Sequence, residues 1–384
     1  MQFRSSLVTL RAAGTIPLLA AALVAAASFA RPAAAETPAI DGAPLAKELL
    51  LHGFAPGSAD GLMPAGAPLF VGPNAMYLTT SSGGKYSLGT IVRLVRGADA
   101  WREEVIYSFG GAGNGYGPSA GLIADRFGAL YGTTENGGAG RGAGSVFKLT
   151  PVGGTWKETT LHTFDTQDND GALPAGSLIA DAAGDLFGTT RVGGGAYGQG
   201  LAFKFVPPKT PGGVWGEYAL HNFTGGADGG QSESTLVADG LGNLYGTASA
   251  GGKNTALAAG TVFRLAPEKN SLSRYTFTTL HEFAGQPNDG SSPAAGVILG
   301  PGGILYGTTM DGGPGFDGTV FELVPPVKAG GAYTSYVLHG FGTSRDDTQF
   351  PLGGVVRDAY GNLYGAGNTG VGPTAGGAVY EIVL

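Results

Sequence analysis

The sequence predicts an all-β protein: a six-bladed β-propeller of four-stranded antiparallel blades, closed into a ring by an N-terminal strand that completes the last blade. Three features carry that expectation. First, a pentapeptide of the type LYGTT recurs at 130–134, 186–190, 244–248, 305–309 and 363–367. Second, two more anchors keep the same order around it. The phenylalanine of LHxF falls at Phe54, Phe109, Phe164, Phe223, Phe283 and Phe341, spaced 55, 55, 59, 60 and 58 residues apart. The glycine of GTVF falls at Gly89, Gly144, Gly200, Gly260, Gly318 and Gly377. Six regular units of this length read as propeller blades or solenoid coils. Third, the ends are complementary: KELLLHGF (47–54) is a spare fourth strand, and the last unit stops after its third strand at Leu384. Joining them closes the ring and removes two exposed sheet edges, whereas an open solenoid needs no such match.

The elements follow in chain order. Residues 1–35 read as a signal peptide: Arg4 and Arg11, an apolar run from Ile16 to Phe29, then small residues at 33–35 before Glu36. Residues 36–45 form a linker and 46–384 a single propeller domain. No membrane-spanning segment is expected after cleavage. The third unit illustrates the strands: GSLIAD (176–181), LFGTT (186–190), LAFKFV (201–206) and WGEYALHNF (215–223). Their alternation and their β-branched and aromatic content favour strands over helices. Glycine before the second strand (Gly128, Gly184, Gly242, Gly303, Gly361) supplies the positive φ of a tight hairpin. Small residues opening strand one fit a crowded axis. Glycine within strand two is expected where neighbouring backbones approach closely.

Composition narrows the function. The chain holds 72 glycines and no cysteine among 384 residues, so disulfides and thiol nucleophiles are excluded. The segment 1–35 contains three arginines and no acid; the remainder has 19 bases against 29 acids, a net charge of −10. Such a protein is repelled by phosphate backbones, and nucleic acid is not an expected partner.

The motif order DGxxP…D…GNLYGTT…GG…GTVFxL…LHxF, over 47–384, resembles the GloVer-type tandem repeat of exported bacterial proteins, sometimes described as choice-of-anchor proteins. The resemblance implies a secreted, propeller-like repeat protein. It brings no established activity and no catalytic residues. Such proteins often end in a sorting segment, whereas the last residues here read as a strand.

The five histidines, His52, His162, His221, His281 and His339, each stand two residues before an anchor phenylalanine, with Tyr107 in the remaining unit. One per blade on the outermost strand, they cannot converge on one centre and are read as structural. With Trp101, Trp156, Trp215, Tyr275 and Tyr333 they form a stripe expected to pack on the next blade. No histidine is left for a catalytic triad or a metal centre, so no catalytic residue, metal ligand or cofactor is expected.

The DGxxP loops, with Asp60, Asp170, Asp228 and Asp289, read first as turn chemistry: the acid bonds its own backbone, glycine takes the left-handed region, and proline opens the next strand. A ring of carboxylates for a cation or sugar hydroxyls is the sharper reading. Strand parity puts these loops on one face with the glycine-rich loops that follow strand two. Residues that break the repeat gather there: Tyr116, Glu135, Arg141, Arg191, Tyr197, Glu233, Asp311 and Arg345. Loops on a rigid scaffold are where binding resides. The expected function is an exported, monomeric, non-enzymatic binding module for a glycan or a protein, using this face. The alternatives are a carboxylate-based polysaccharide hydrolase or lyase, requiring two acids across a cleft, and a purely structural surface protein.

Overall fold

The computed structural model describes Phe54 and residues 60–384, apart from short internal segments at 99, 112, 139–141, 166–169, 211, 254–257, 270, 272, 286, 329, 344–347 and 369–377. The expected signal peptide and linker, and all of the proposed closing strand 47–54 except Phe54, lie outside the described residues.

The chain forms a six-bladed propeller of antiparallel sheets. Blade one is Gly61–Phe70, Ala75–Gly83, Thr90–Arg96 and Trp101–Ser108; blade two is Ile123–Ala124, Leu130–Thr134, Ser145–Val152 and Thr155–Thr163. Blade three is Ile179–Ala180, Leu186–Thr190, Leu201–Val206 and Gly216–Asn222; blade four is Val237–Ala238, Leu244–Ala248, Thr261–Pro267 and Tyr275–Glu282. Blade five is Ile298–Leu299, Leu305–Thr309, Thr319–Val324 and Thr334–Gly340. Blade six has three strands among the described residues: Val356–Arg357, Leu363–Gly367 and Ala378–Ile382. The only helical element described is the 3-10 turn Pro301–Gly303, which stands where other blades use an aspartate turn.

In blades two to six the first strand is shorter than its sequence suggests, pairing over two residues only. Its inner half turns its polar groups towards neighbouring blades. The Gly121 amide donates to Ser177 Oγ at 2.8 Å, and the Ser177 amide to Thr235 Oγ1 at 3.0 Å. The first threonine of LYGTT adds a second set of links. Thr79, Thr189, Thr247 and Thr308 donate to the carbonyls of Ala120, Ser234, Ala295 and Gly353 in the next blade, at 2.8–3.0 Å. Small residues are required here: a Cβ on Gly296 would lie 2.1 Å from the Thr235 carbonyl oxygen.

The anchor phenylalanines join the blades. Phe109, Phe164, Phe223, Phe283 and Phe341 are buried and meet Phe147, Phe203, Phe263, Phe321 and Tyr380 of the following blade at 4.8–5.5 Å between ring centres. Phe54, the anchor preceding blade one, packs against Met76, Leu78, Val92 and Leu94 of that blade. It thus takes the place that a strand four of blade six would give it.

Two details differ from expectation. The glycine in strand two answers an aromatic ring rather than a neighbouring backbone: a Cβ on Gly132, Gly188, Gly246 or Gly307 would meet the strand-three phenylalanine ring at 2.5–2.7 Å. Blade one carries the complementary exchange, Leu78 opposite Val92. The aromatic stripe of strand four also divides. Trp156 and Trp215 pack edge-on against Tyr77 and Tyr131 of the preceding blade, at 5.9 and 6.4 Å, while the histidine and phenylalanine face the following one.

Candidate functional site

The loops after strands two and four share one face and pair with each other. Gly171–Ala172 pairs with Val192–Gly193, Gly290–Ser291 with Asp311–Gly312, and single bridges join Tyr116 to Asn136 and Gly230 to Ala250.

The DGxxP aspartates organise this face. Asp170 Oδ2 accepts from the Asp165 amide at 2.9 Å and its Oδ1 from the Gly171 amide at 2.7 Å. Asp289 repeats this with the amides of Ala284 and Gly290, and Asp228 is held by the Thr224 amide and hydroxyl. Each carboxylate also meets the histidine of the preceding strand: His162–Asp170, His221–Asp228 and His281–Asp289 are all 2.9 Å apart. In the unit without histidine, Asn114 Nδ2 donates to Tyr107 Oη at 3.1 Å. The left-handed residue of the loop is mostly not the motif glycine. It is the residue before proline or its equivalent: Met63, Leu173, Gln231, Ser292 and Phe350 have φ of 52–57°. Gly171 and Gly290 serve contact instead, since a Cβ there would lie 2.2–2.4 Å from the hydroxyl of Thr190 or Thr309. Asp60 stands at the same motif position before blade one.

Three of the singled-out residues converge. Arg191, leaving strand two of blade three, reaches Glu135 of blade two at 3.7 Å and Glu233, at the start of blade four, at 3.3 Å. Each of the three side chains is about a third exposed. Tyr116 adjoins them: its amide donates to Asn136 O at 2.7 Å, and the Glu135 amide to Gly117 O at 3.1 Å. Tyr197, 65% exposed, stands on the loop of blade three, and Asp311 in the pairing of blade five. Arg141 and Arg345 lie outside the described residues.

Sequence reasoning missed Glu217. From strand four of blade three it reaches back to His162, with Oε2 3.4 Å from Nδ1. Burial pushes the Glu217 carboxyl up to about 7, the charge of His162 opposing and that of Asp170 adding. Burial also pushes Asp170 up, but the bonds from His162 and the Asp165 amide outweigh it and hold this carboxyl below the ordinary range. Burial pushes His221 below the ordinary imidazole range despite its bond to Asp228. The signal available for Glu217 was its spacing, two residues after the strand-four tryptophan.

A broad recess lies elsewhere. A groove of about 1310 Å3 opens between blades two and three on the opposite face, lined by Tyr131, Lys148, Trp215 and the turns at 125–127, 207–210 and 212–214. Lys148 and Asp125, both of blade two, pair on its wall at 3.8 Å. The charged groups that break the repeat are gathered on the loop face, and the functional reading rests there.

The Gloeobacter/Verrucomicrobia repeat matches residues 46–254 and, overlapping them, 194–384. The chain belongs to this family. The repeat spans all six blades. No curated protein matches the chain. Among solved structures, a putative oxidoreductase (glucose dehydrogenase) of Thermus thermophilus is 15% identical with a TM-score of 0.47, covering 84% of this chain and 97% of that one. PorZ, a surface component of the type IX secretion system of Porphyromonas gingivalis, is 12% identical with a TM-score of 0.49, covering 87% of this chain and 41% of that one. An α-L-arabinanase of Penicillium chrysogenum is 13% identical with a TM-score of 0.45, covering 84% and 95%. Among the described residues no helix is long and apolar enough to cross a membrane.

Proposed function

We propose that this protein is an exported binding module that engages a glycan on the loop face, at Glu135, Arg191 and Glu233. The observation that carries this reading is the convergence of three repeat-breaking charges from three successive blades. Most charged positions of the motif are engaged in its own loops. These three are surplus to that architecture.

The cluster offers acceptors and donors side by side, which suits sugar hydroxyls that both donate and accept. Its net charge of −1 disfavours anionic ligands. Tyr116 and Tyr197 add exposed rings on the same face. Arg191 bridges the two carboxylates, where a hydrolase needs room for a glycosidic bond and a water. That arrangement favours binding over hydrolysis.

The test is a glycan array probed with the mature protein, followed by titration of the best ligand against Arg191→Ala and Glu233→Gln. Each variant is expected to weaken binding about tenfold or more, the range of a centrally placed contact. Silence across neutral glycans, or an unchanged Kd in both variants, would reject the assignment.

A further inference from the structure

We infer that His162 and Glu217, with Asp170 orienting the imidazole, form a binding site for a single divalent transition-metal ion of the Zn2+ class, at the seam between blades two and three. The reasoning starts at Asp170. Its Oδ2 already accepts the Asp165 amide, and its Oδ1 accepts the Gly171 amide. It faces His162 as an acceptor, so the hydrogen at 2.9 Å belongs to Nε2 of His162. In the neutral ring the lone pair is then on Nδ1. That lone pair points at Glu217 Oε2, 3.4 Å away. A proton on Glu217 fills this gap in the metal-free chain, and a divalent ion that displaces it gains both ligand atoms.

The arrangement matches how proteins prepare a metal-binding imidazole: a carboxylate takes the far N–H, fixes the tautomer and orients the near nitrogen. One ligand atom from each of the three residues falls within 4.8 Å of the others. Imidazole nitrogen and carboxylate oxygen suit zinc, with water completing the coordination. The ring is further held edge-on against Phe164 and tilted on Phe205, at 4.8 and 4.9 Å.

The repeat supplies its own controls. Glu217 pairs in register with Phe205; the equivalents in blades one and two, paired with Leu94 and Leu149, are also glutamates, Glu103 and Glu158, and those in blades four and five, paired with Leu265 and Leu323, are Phe277 and Ser335. Phe277 stacks on His221 at 3.9 Å, covering that ring with carbon. The histidine–aspartate pair is therefore architectural, and among the described residues His162–Asp170 is the pair that a glutamate joins as a second ligand.

The experiment uses the untagged mature protein, stripped with chelator and titrated with Zn2+ by calorimetry, and with Co2+ by visible absorption. One equivalent of Zn2+ per chain is expected, with a Co2+ spectrum of low coordination number. Glu217→Gln should weaken Zn2+ about tenfold or more, since losing a ligand costs at least what losing an outer-shell carboxylate does. Glu217→Ser, which installs the residue standing naturally at Ser335, checks the result in a side chain this register already accommodates. Absence of Zn2+ binding by the wild-type chain, or binding unchanged in either folded variant, overturns the assignment.

Discussion

Glu217 shows how much one side chain changes a repeated environment. Burial raises its carboxyl to about 7, above its unfolded value. The protonated form is favoured on folding, so this contribution to stability is complete below the unfolded pKa and is lost as pH rises through about 7. In chelated buffer the wild-type melting temperature should fall between about pH 4.5 and about pH 7 relative to that of Glu217→Gln, in which this contribution cannot titrate. Parallel curves for the two proteins over that range would show that Glu217 titrates as in the unfolded chain. The residue types at the loop face were legible in the sequence, and so was their departure from the repeat. Which of them touch was not. Glu135, Arg191 and Glu233 come from three blades, and their separations depend on how adjacent sheets sit around the axis.

At the scale of the element, the repeat works through matched exchanges. A glycine in strand two accompanies a phenylalanine in strand three, and blade one answers with Leu78 and Val92. The loop between blades does the same: histidine accompanies aspartate, and Tyr107 accompanies Asn114. Either His281→Tyr or Asp289→Asn alone should destabilise the protein by about 1.5–3 kcal/mol, the range for a hydrogen bond to a charged group. The double variant, which copies the Tyr107–Asn114 solution, should recover about 1 kcal/mol or more of the summed loss as coupling energy. Denaturant midpoints of the four proteins measure this; strict additivity would mean that the pair does not act as a unit. Strand two and the first-turn glycines were readable from spacing, because they obey local rules. The short first strand and the left-handed residue before proline were not. The first follows from hydrogen bonds to neighbouring blades, and the second from a loop pinned by its aspartate.

For the whole molecule, the decisive contact is Phe54 on the core of blade one. Every other anchor phenylalanine is supplied by the blade before it, and Phe54 stands in that place for the first blade. Phe54→Ala should cost roughly 2 kcal/mol, less than the about 3–5 kcal/mol of a fully buried phenylalanine because Phe54 is half-buried. The loss should appear as an earlier unfolding midpoint within a single transition. A separate early transition, with the other blades melting later, would mean that the first blade is not bound into the ring.

Six units, their strand order and the face on which the variable loops emerge follow from the chain alone. They rest on periodicity, turn residues and strand parity, each set within a few residues of backbone. The direction in which each strand-four side chain packs, the bridging of Glu135 and Glu233 by Arg191, and the meeting of His162 with Glu217 were decided only in three dimensions. Such contacts join residues about one repeat apart, and the side-chain distance across a seam depends on blade-to-blade geometry that no local pattern encodes.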